Sequence, residues 1–522
     1  MLKKLHGRKL AVCLIGGAMY ALFSAFGWQA EHGGVIWAGG ALLVAALLVW
    51  PIAALLAVLL ERGYTRALRR EKTFRAGRAF AFILACYVPM FCVAFPGSFA
   101  YDVPYQLRQV VTGAYSTHHP LLHTLALGGL LQLGRALGDI NLGAALYTAL
   151  QMALLAGCFA LTCGSIARQS GARAAKRAAV FFALYPLNMV MAVNATKDVL
   201  FGGFFALTLA LLNEIQEKPS RGLALKIAAC GALAVMLRNN MAYAALVWLA
   251  ILTIGLRKAE KSAALAMLLA LTVGLCGNAA LKRATRAESG DMSEMLSWPI
   301  QQLARARLYD EERLNDAEKE AIDELMPGEA WACYDPTISD PVKFEFDTQA
   351  FRADVKKYVG VWLSVGKKCA GTYLDATMAL TYPFFYPYRE YRVSGYYVQM
   401  GMSDAYDAGW CDFDPPESRS LFPRALASLS WRFGAKGAMQ IPVVGWLFNM
   451  GVIVWTMLFF ALREMYWGRW RRFGTALLPV LLWGTFLLGP VMAGRYIYPF
   501  VCALPVLAAR PGRSVKEAER HG

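Results

Sequence analysis

Residues 95–123 form a polar segment between two apolar stretches, and they hold the side chains best suited to chemistry. The segment reads F-P-G-S-F-A-Y-D-V-P-Y-Q-L-R-Q-V-V-T-G-A-Y-S-T-H-H-P-L-L-H and contains a single acid, Asp102, directly after Tyr101. It also contains three of the six histidines of the chain, which are His118, His119 and His123. A lone carboxylate can take a proton from a hydroxyl group, and ionisable groups at membrane depth are functional-site candidates. Asp102 is therefore the first candidate for a catalytic base.

Further polar residues stand where other apolar stretches begin or end. Lys197 and Asp198 belong to N-A-T-K-D, Arg238 belongs to L-R-N-N, and Arg495 with Tyr496 belongs to G-R-Y-I-Y-P. If the ends of these stretches meet, they form a pocket with a carboxylate, several cations and amide donors. Arginine and lysine bind phosphate and stabilise a departing negative charge. Such a pocket suits group transfer from a phosphate-bearing donor, and a donor attached to a lipid would reach it from the bilayer.

Each of these residues also has a plainer interpretation. Asp102 follows P-G-S-F-A-Y and could be a loop acid in an Asx turn. The histidines at 119 and 123, one helical turn apart, could bind a metal ion or simply hydrogen-bond within the fold. Lys197 could pair with the acid next to it, and Arg495 could extend towards lipid headgroups. The sequence leaves a divalent metal open and assures no cofactor.

Long apolar stretches recur along the chain and indicate its class. Hydrophobic residues make up 57% of the 522 residues, charged residues make up 17%, and the mean hydropathy is +0.40. A helix needs about 20 apolar residues to cross a bilayer. We therefore predict an all-α polytopic membrane protein with twelve spans, near residues 10–28, 35–60, 79–95, 142–165, 178–193, 199–215, 222–237, 241–256, 263–280, 440–462, 474–490 and 497–509.

Lysine and arginine predict how the chain is oriented in the membrane. With the N-terminus inside, the short inner segments carry 29 of these residues and the short outer segments carry 5. Cytoplasmic loops are enriched in lysine and arginine, so we predict a multi-pass protein of the plasma membrane with both termini in the cytoplasm. The formal net charge of +17 then reflects topology, and the expected partner is the lipid bilayer rather than nucleic acid.

Three parts follow from this arrangement. Residues 1–280 are predicted to form a transmembrane module whose outer loop, 96–141, carries the candidate base. Residues 281–439 form an extracytoplasmic domain with 24 of the 36 acidic residues and with interfacial helices, one of them near 358–377. Residues 440–522 contain C-terminal transmembrane helices and a cytoplasmic tail. The extracytoplasmic domain contains three cysteines, Cys333, Cys369 and Cys411, and oxidation is possible there. We predict a disulfide between Cys333 and Cys411.

The orientation can be tested at Asp316, which lies in the segment 281–439. A cysteine in place of Asp316 should react with a membrane-impermeant thiol reagent in intact cells, because this segment is predicted to lie outside. A gel shift after maleimide labelling measures the reaction. Labelling that occurs only after the membrane has been permeabilised would contradict the topology, and with it the outer location of the pocket.

The polar motifs together resemble the GT-C superfamily of polytopic membrane glycosyltransferases, which includes protein O-mannosyltransferases and lipid A aminoarabinose transferases. The resemblance covers roughly residues 79 to 500 and is carried by the Tyr-Asp of the first large outer loop, the following H-H-P-x-x-H, the later K-D and the final R-Y. The chain is more closely similar to an uncharacterised bacterial branch of GT-C-like proteins, through S-W-P-I-Q-Q-L-A-R at 297–305 and Y-D-P-T-I-S-D-P-V-K at 334–343. This resemblance implies a GT-C-like bundle of about twelve transmembrane helices with an outer, mainly helical domain.

The resemblance also implies a function. A GT-C-like enzyme would move a sugar from a polyprenyl-phosphate-linked donor to an acceptor on the outer face, which would be a glycan, lipid or protein of the cell envelope. Asp102 would be the catalytic carboxylate, although Val103 stands where many relatives have a second acid. The residues expected to bind substrate or phosphate are Tyr101, Arg108, His118, His119, His123, Lys197, Asp198, Arg238, Gln301, Arg305, Arg495 and Tyr496.

Two other functions fit parts of the sequence. A transporter or flippase of lipid-linked sugars shares the twelve-span layout with both ends inside, but the two halves show no internal repeat and the acids cluster at the outer face. A membrane scaffold would bind a partner through the segment 281–439, but this function leaves the segment 95–123 unexplained. Fold analogy alone does not prove a reaction, so the choice among these functions depends on the side chains that form the pocket.

Overall fold

The computed structural model describes residues 5, 7–32, 40–62, 74–99, 102–255, 258–387, 400–402, 415–433, 441 and 443–510. Within these ranges helices dominate, and β-type pairing is limited to isolated bridges without any strand. The protein is therefore all-α, as the sequence predicts. Its helices are α1 (Arg8–His32), α2 (Gly40–Arg62), α3 (Ala76–Ala94), α4 (Val103–Thr112), α5 (Leu121–Ala136), α6 (Ile140–Ser170), α7 (Ala172–Leu184), α8 (Pro186–Ala192), α9 (Lys197–Glu217), α10 (Arg221–Leu237), α11 (Asn239–Gly255), α12 (Lys258–Thr285), α13 (Ser297–Tyr309), α14 (Asp316–Leu325), α15 (Asp340–Lys343), α16 (Thr348–Ala353), α17 (Val355–Lys368), α18 (Ala370–Thr381), α19 (Pro423–Phe433), α20 (Met450–Tyr466), α21 (Trp470–Leu487) and α22 (Tyr498–Ala508).

Several of these helices are suited to a bilayer. Among the described residues, six helices are long and apolar enough to cross a membrane, and they belong to α1, α2, α3, α6, α9 and α12. Shorter apolar helices occupy Asn239–Thr253 and Gly494–Ala508. Length and composition thus indicate a membrane protein that associates with a lipid bilayer through several helices. They support six of the twelve predicted spans directly, and the full count stays a prediction.

Two predicted segments are divided in the structure. The predicted span 178–193 consists of α7 and α8, which are separated at Tyr185 because Pro186 disfavours a helical conformation in the residue before it. The predicted interfacial helix 358–377 is divided between α17 and α18 at Cys369. Cys411 lies outside the described residues, and so does its predicted pairing with Cys333.

Helix α9 lies within the main hydrophobic core. Most of its residues are buried, and α6, α10 and α22 pack against it. Two glycines permit close packing, since a Cβ on Gly202 would lie 3.0 Å from the Tyr498 ring and one on Gly203 would lie 3.1 Å from Leu155. The helix has 21 residues. Such a helix is about 30 Å long, which equals the usual thickness of the hydrocarbon core of a bilayer.

Polar side chains gather at both ends of α9. At its C-terminal end, Arg168 Nε donates to Glu214 Oε1 at 2.6 Å and Arg472 Nη2 donates to Glu217 Oε1 at 3.5 Å. Lys197 at the opposite end begins a second polar cluster. An apolar stretch separates the two clusters, as expected for a helix whose ends reach the two surfaces of a membrane.

A smaller hydrophobic core lies between α13, α14 and α17, and the helix α14 begins with a capping box formed by Asn315 and Glu318. This core is joined to the end of α21, because Trp298 Nε1 donates to the carbonyl oxygen of Leu487 at 2.7 Å. The connection holds the chain that leads from α21 to Arg495.

Candidate active site

Two loops from distant parts of the sequence are hydrogen-bonded to each other. The Ser98 amide donates to the carbonyl oxygen of Val193, and the Ala195 amide donates to the carbonyl oxygen of Ser98, both at 2.8 Å. Ser98 therefore forms a short parallel bridge with the chain that precedes α9. Asp102 follows this bridge on the first loop and Lys197 follows it on the second, so the bridge brings the two residues together.

A buried polar network holds the same two loops from behind. Gln151 of α6 donates from Nε2 to the carbonyl oxygens of Ala192 and Asn194 at 3.0 Å and 2.9 Å, and accepts from the Tyr147 hydroxyl at 3.1 Å. The Tyr147 hydroxyl lies 2.8 Å from His123 Nε2, and His123 Nδ1 lies 3.1 Å from Gln106 Oε1 on α4. His123 is only 2% exposed, so its ring links α4, α5 and α6 and does not face an open pocket.

Asp102 is held by two cations at once. Lys197 Nζ donates to Asp102 Oδ2 at 2.6 Å. Arg495 donates through Nη1 to Oδ2 at 3.2 Å and through Nη2 to Oδ1 at 3.3 Å, which is a bidentate contact. The carboxylate makes no capping hydrogen bond to α4, which begins beside it. Its contacts are therefore those of an ion-paired group, and the interpretation as a simple turn acid has no hydrogen bond to support it.

Asp198 forms a second and deeper ion pair. Its side chain is 0% exposed and pairs with Arg238, while Arg495 Nε lies 3.9 Å from Asp198 Oδ2. The Arg238 guanidinium is also enclosed by two rings, since its Cζ lies 4.4 Å from the ring centres of Phe486 and Tyr496. Arginine bound between aromatic faces gains cation–π attraction. Asp198 thus lies within ion-pair distance of both Arg238 and Arg495, and Asp198 and Arg238 are themselves barely accessible.

The cluster has a surplus of positive charge. Lys197, Arg238 and Arg495 contribute three cations against the carboxylates of Asp102 and Asp198. Burial raises the pKa of the Asp102 carboxyl, but the charges of Arg495 and Lys197 outweigh burial and hold this pKa well below its usual range. The carboxylate is therefore ionised near neutral pH, and the formal charges of these five side chains sum to one positive charge.

His119 stands at the edge of this cluster. Its Nδ1 lies 3.7 Å from Asp102 Oδ2, and the side chain is 7% exposed. Within the part of the chain that the structure describes, this Nδ1 has no hydrogen-bond partner. Burial lowers the pKa of His119 to about 3, so the imidazole is neutral near pH 7 and adds no charge. A hydroxyl group placed here would meet both the imidazole and the carboxylate.

Two predicted pocket residues have their partners elsewhere. Gln301 Nε2 donates to the carbonyl oxygens of Asp335 and Ile338 at 2.8 Å and 2.7 Å, which holds the turn before α15. Arg305 Nη1 donates to the Tyr334 hydroxyl at 3.2 Å. The structure therefore gives both side chains contacts within the smaller core, whereas Lys197, Arg238 and Arg495 have theirs at Asp102 and Asp198.

The remaining predicted residues are exposed or lie outside the described residues. Arg108 is on the exposed side of α4, and His118 is exposed with its ring centre 4.6 Å from that of His119. Tyr101 lies outside the described residues. As for a metal, the described residues contain no group of three or more His, Cys, Asp or Glu side chains placed to hold one.

Tyr147 and Gln151, which hold the network, are not among the predicted site residues. Both lie in the apolar stretch predicted as the span 142–165, four positions apart and so on one helix face. A polar pair on one face of an otherwise apolar span is unusual, and this signal could have identified them. The pair carries no chemistry of its own here, but it determines where both loops lie.

Residues 112–521 match a family described as a family of unknown function (DUF6020). The chain belongs to DUF6020. The matched region includes His119, Lys197, Arg238 and Arg495, and Asp102 precedes its first residue. Neither a comparison with curated proteins nor one with solved structures gives a match.

Proposed function

We propose that this member of DUF6020 is a membrane glycosyltransferase that takes a sugar from a polyprenyl-phosphate-linked donor. The observation that carries the proposal is the contact of Asp102 with Lys197 and Arg495, because it joins an accessible carboxylate to cations that suit phosphate. The surplus positive charge favours an anionic ligand, and a bidentate arginine is well matched to phosphate oxygens. A carboxylate, by contrast, suits a hydroxyl acceptor.

In the proposed reaction, the carboxylate of the cluster accepts a proton and its cations bind the departing phosphate. The acceptor hydroxyl gives its proton to a carboxylate oxygen of Asp102 as its oxygen forms a bond to the anomeric carbon of the sugar. The bond from that carbon to the donor phosphate breaks, and the phosphate oxygen leaves with the electron pair. Lys197 and Arg495 stabilise the charge on the departing polyprenyl phosphate. The proton on Asp102 passes to water after release, which restores the carboxylate.

The position of the cluster agrees with a lipid-borne donor. The cluster occupies one end of α9, which is long enough to reach across a hydrocarbon core. A phosphate attached to a lipid lies at that depth, close to the membrane surface. In our proposal the protein resides in the plasma membrane with twelve spans and cytoplasmic termini. Transfer takes place on the outer face, to a glycan, lipid or protein of the cell envelope.

Asp198 and Arg238 have a supporting part in this proposal. Asp198 is fully buried, so it contacts no substrate and instead holds Arg238 and the Nε side of Arg495. This leaves the Nη atoms of Arg495 directed at Asp102. A fixed guanidinium loses little conformational freedom when it binds an anion, which strengthens each contact that it makes.

The test is an assay with the purified protein in lipid nanodiscs. A panel of polyprenyl-phosphate sugars is supplied with acceptor fractions from the cell envelope, and the release of polyprenyl phosphate is measured. Release that depends on the acceptor is the expected result. If no donor releases its phosphate, but the protein moves lipid-linked sugars across the membrane of vesicles, the protein is a flippase and our proposal is wrong.

A further inference from the structure

Asp102 occupies the contacts that a donor phosphate would need. Lys197 Nζ and both Nη atoms of Arg495 donate to its two oxygens. A phosphate group presents oxygens of similar spacing and negative charge, and guanidinium groups bind carboxylate and phosphate in the same forked geometry. The donor phosphate and Asp102 therefore compete for the same hydrogen-bond donors.

The two carboxylates of the cluster differ in how easily they can give up their partners. The Asp198 side chain is 0% exposed, while that of Asp102 is 22% exposed. Asp198 also accepts from the Thr196 hydroxyl at 3.2 Å. Moving Asp198 would leave the buried Arg238 charge without compensation, which is strongly unfavourable. Asp102 can instead turn towards solvent or substrate, so it is the carboxylate that a ligand can replace.

We propose that Asp102 is an internal substitute for the donor phosphate, and that donor binding releases it to act as the base. This inference rests on the proposed function and adds to it that the donor must bind before Asp102 can act as the base. Lys197 and Arg495 bind Asp102 while the site is empty and transfer to the phosphate when the donor enters. The acceptor hydroxyl then meets a carboxylate that no longer has two cationic partners.

The physical reason lies in how the cations affect basicity. A carboxylate that is paired with two cations holds protons weakly, because protonation would remove its attraction to both of them. Burial acts in the opposite direction and raises the pKa of Asp102. Once the phosphate has taken over Lys197 and Arg495, the cations no longer lower the pKa of Asp102, and the negative charge of the phosphate nearby raises it. Asp102 therefore becomes a stronger base when the donor is bound, and His119 nearby stays uncharged.

The inference predicts that removing the charge of Asp102 strengthens phosphate binding. Asp102→Asn should bind farnesyl phosphate about tenfold more tightly than the wild type, which corresponds to about 1.4 kcal/mol. Isothermal titration of the full chain in detergent measures this, with no acceptor and no turnover. The matched control is Asp139→Asn, which alters an exposed carboxylate that pairs with Arg419 at 2.7 Å, and it should leave the affinity unchanged.

Equal or weaker binding by Asp102→Asn would overturn the inference, as would an absence of binding by both proteins. If Asp102→Asn aggregates, Asp102→Ser removes the same charge with a smaller side chain and carries the same expectation. Failure of the proposed function is a separate outcome, because it is measured as sugar transfer. If Asp102→Asn binds farnesyl phosphate more tightly but the wild type transfers no sugar, the competition between Asp102 and phosphate is confirmed. The proposed glycosyltransferase activity is then wrong.

Discussion

If the proposed function is right, Asp102→Asn should lower the rate of sugar transfer by about two to four orders of magnitude, while the protein stays folded. The amide has the size of the carboxylate but cannot accept a proton as a base. The amide oxygen can still accept from Lys197 and from Arg495 Nη1, whereas the amide nitrogen cannot accept from Arg495 Nη2, so one of the three contacts is lost. The release of polyprenyl phosphate at saturating donor measures the rate, and a melting curve in detergent confirms folding.

The control for this experiment is again Asp139→Asn. Asp139 caps α6 by accepting from the Asn141 amide at 2.9 Å, and asparagine caps helices as well as aspartate does. Transfer by this variant should equal that of the wild type. If Asp102→Asn also transfers at the wild-type rate, Asp102 has no part in proton transfer and only pairs with Lys197 and Arg495.

Asp198→Ala destabilises the protein by roughly 3–5 kcal/mol, which is the usual cost of removing one partner from a buried ion pair. The loss is large because the Arg238 guanidinium, itself buried, would keep its charge without the carboxylate beside it. Asp102→Ala should cost less, since its side chain is partly exposed and water can solvate the cations that remain. The melting temperatures of the two variants, measured in the same detergent, give the comparison.

A double replacement separates charge from packing at this position. Asp198→Leu with Arg238→Met removes both charges and restores apolar volume, and such exchanges are often close to neutral in stability. The double variant should therefore melt above Asp198→Ala. If Asp198→Ala melts at the wild-type temperature, the pair does not stabilise the fold, and the supporting part that we assign to it at Arg495 is wrong.

Residue type was enough to find the charged members of the site. Asp102, Lys197, Arg238 and Arg495 were predicted because ionisable groups are rare at the ends of apolar stretches. Their pairing was not predictable, because it depends on which loops meet. Nothing in the sequence joins the chain near Ser98 to that near Asn194, which the structure connects by a bridge.

The same limit explains the predictions that found other partners. Gln301 and Arg305 lie in a motif that carries the resemblance, yet Gln301 holds the turn before α15 and Arg305 donates to the Tyr334 hydroxyl. His123 is predicted to lie near substrate because it ends the H-H-P-x-x-H motif that carries the resemblance, but the turn of α5 directs it into the buried network. In both cases the partners of the side chain depend on which face of its helix is buried. That face is set by how the helices pack, which the sequence alone does not show.

The cluster also determines when in the life of the chain a donor could first bind. Asp102 and Arg495 are 393 positions apart, and synthesis runs from the N-terminus. Until Arg495 arrives, Lys197 and Arg238 face Asp102 and Asp198, so the charges balance. The segment before α22 supplies the arginine that turns this neutral set into an anion site. Under the proposed function, a nascent chain would therefore carry its base and its lysine for most of its synthesis, and this cluster would be complete for donor binding only after the segment before α22 has been made.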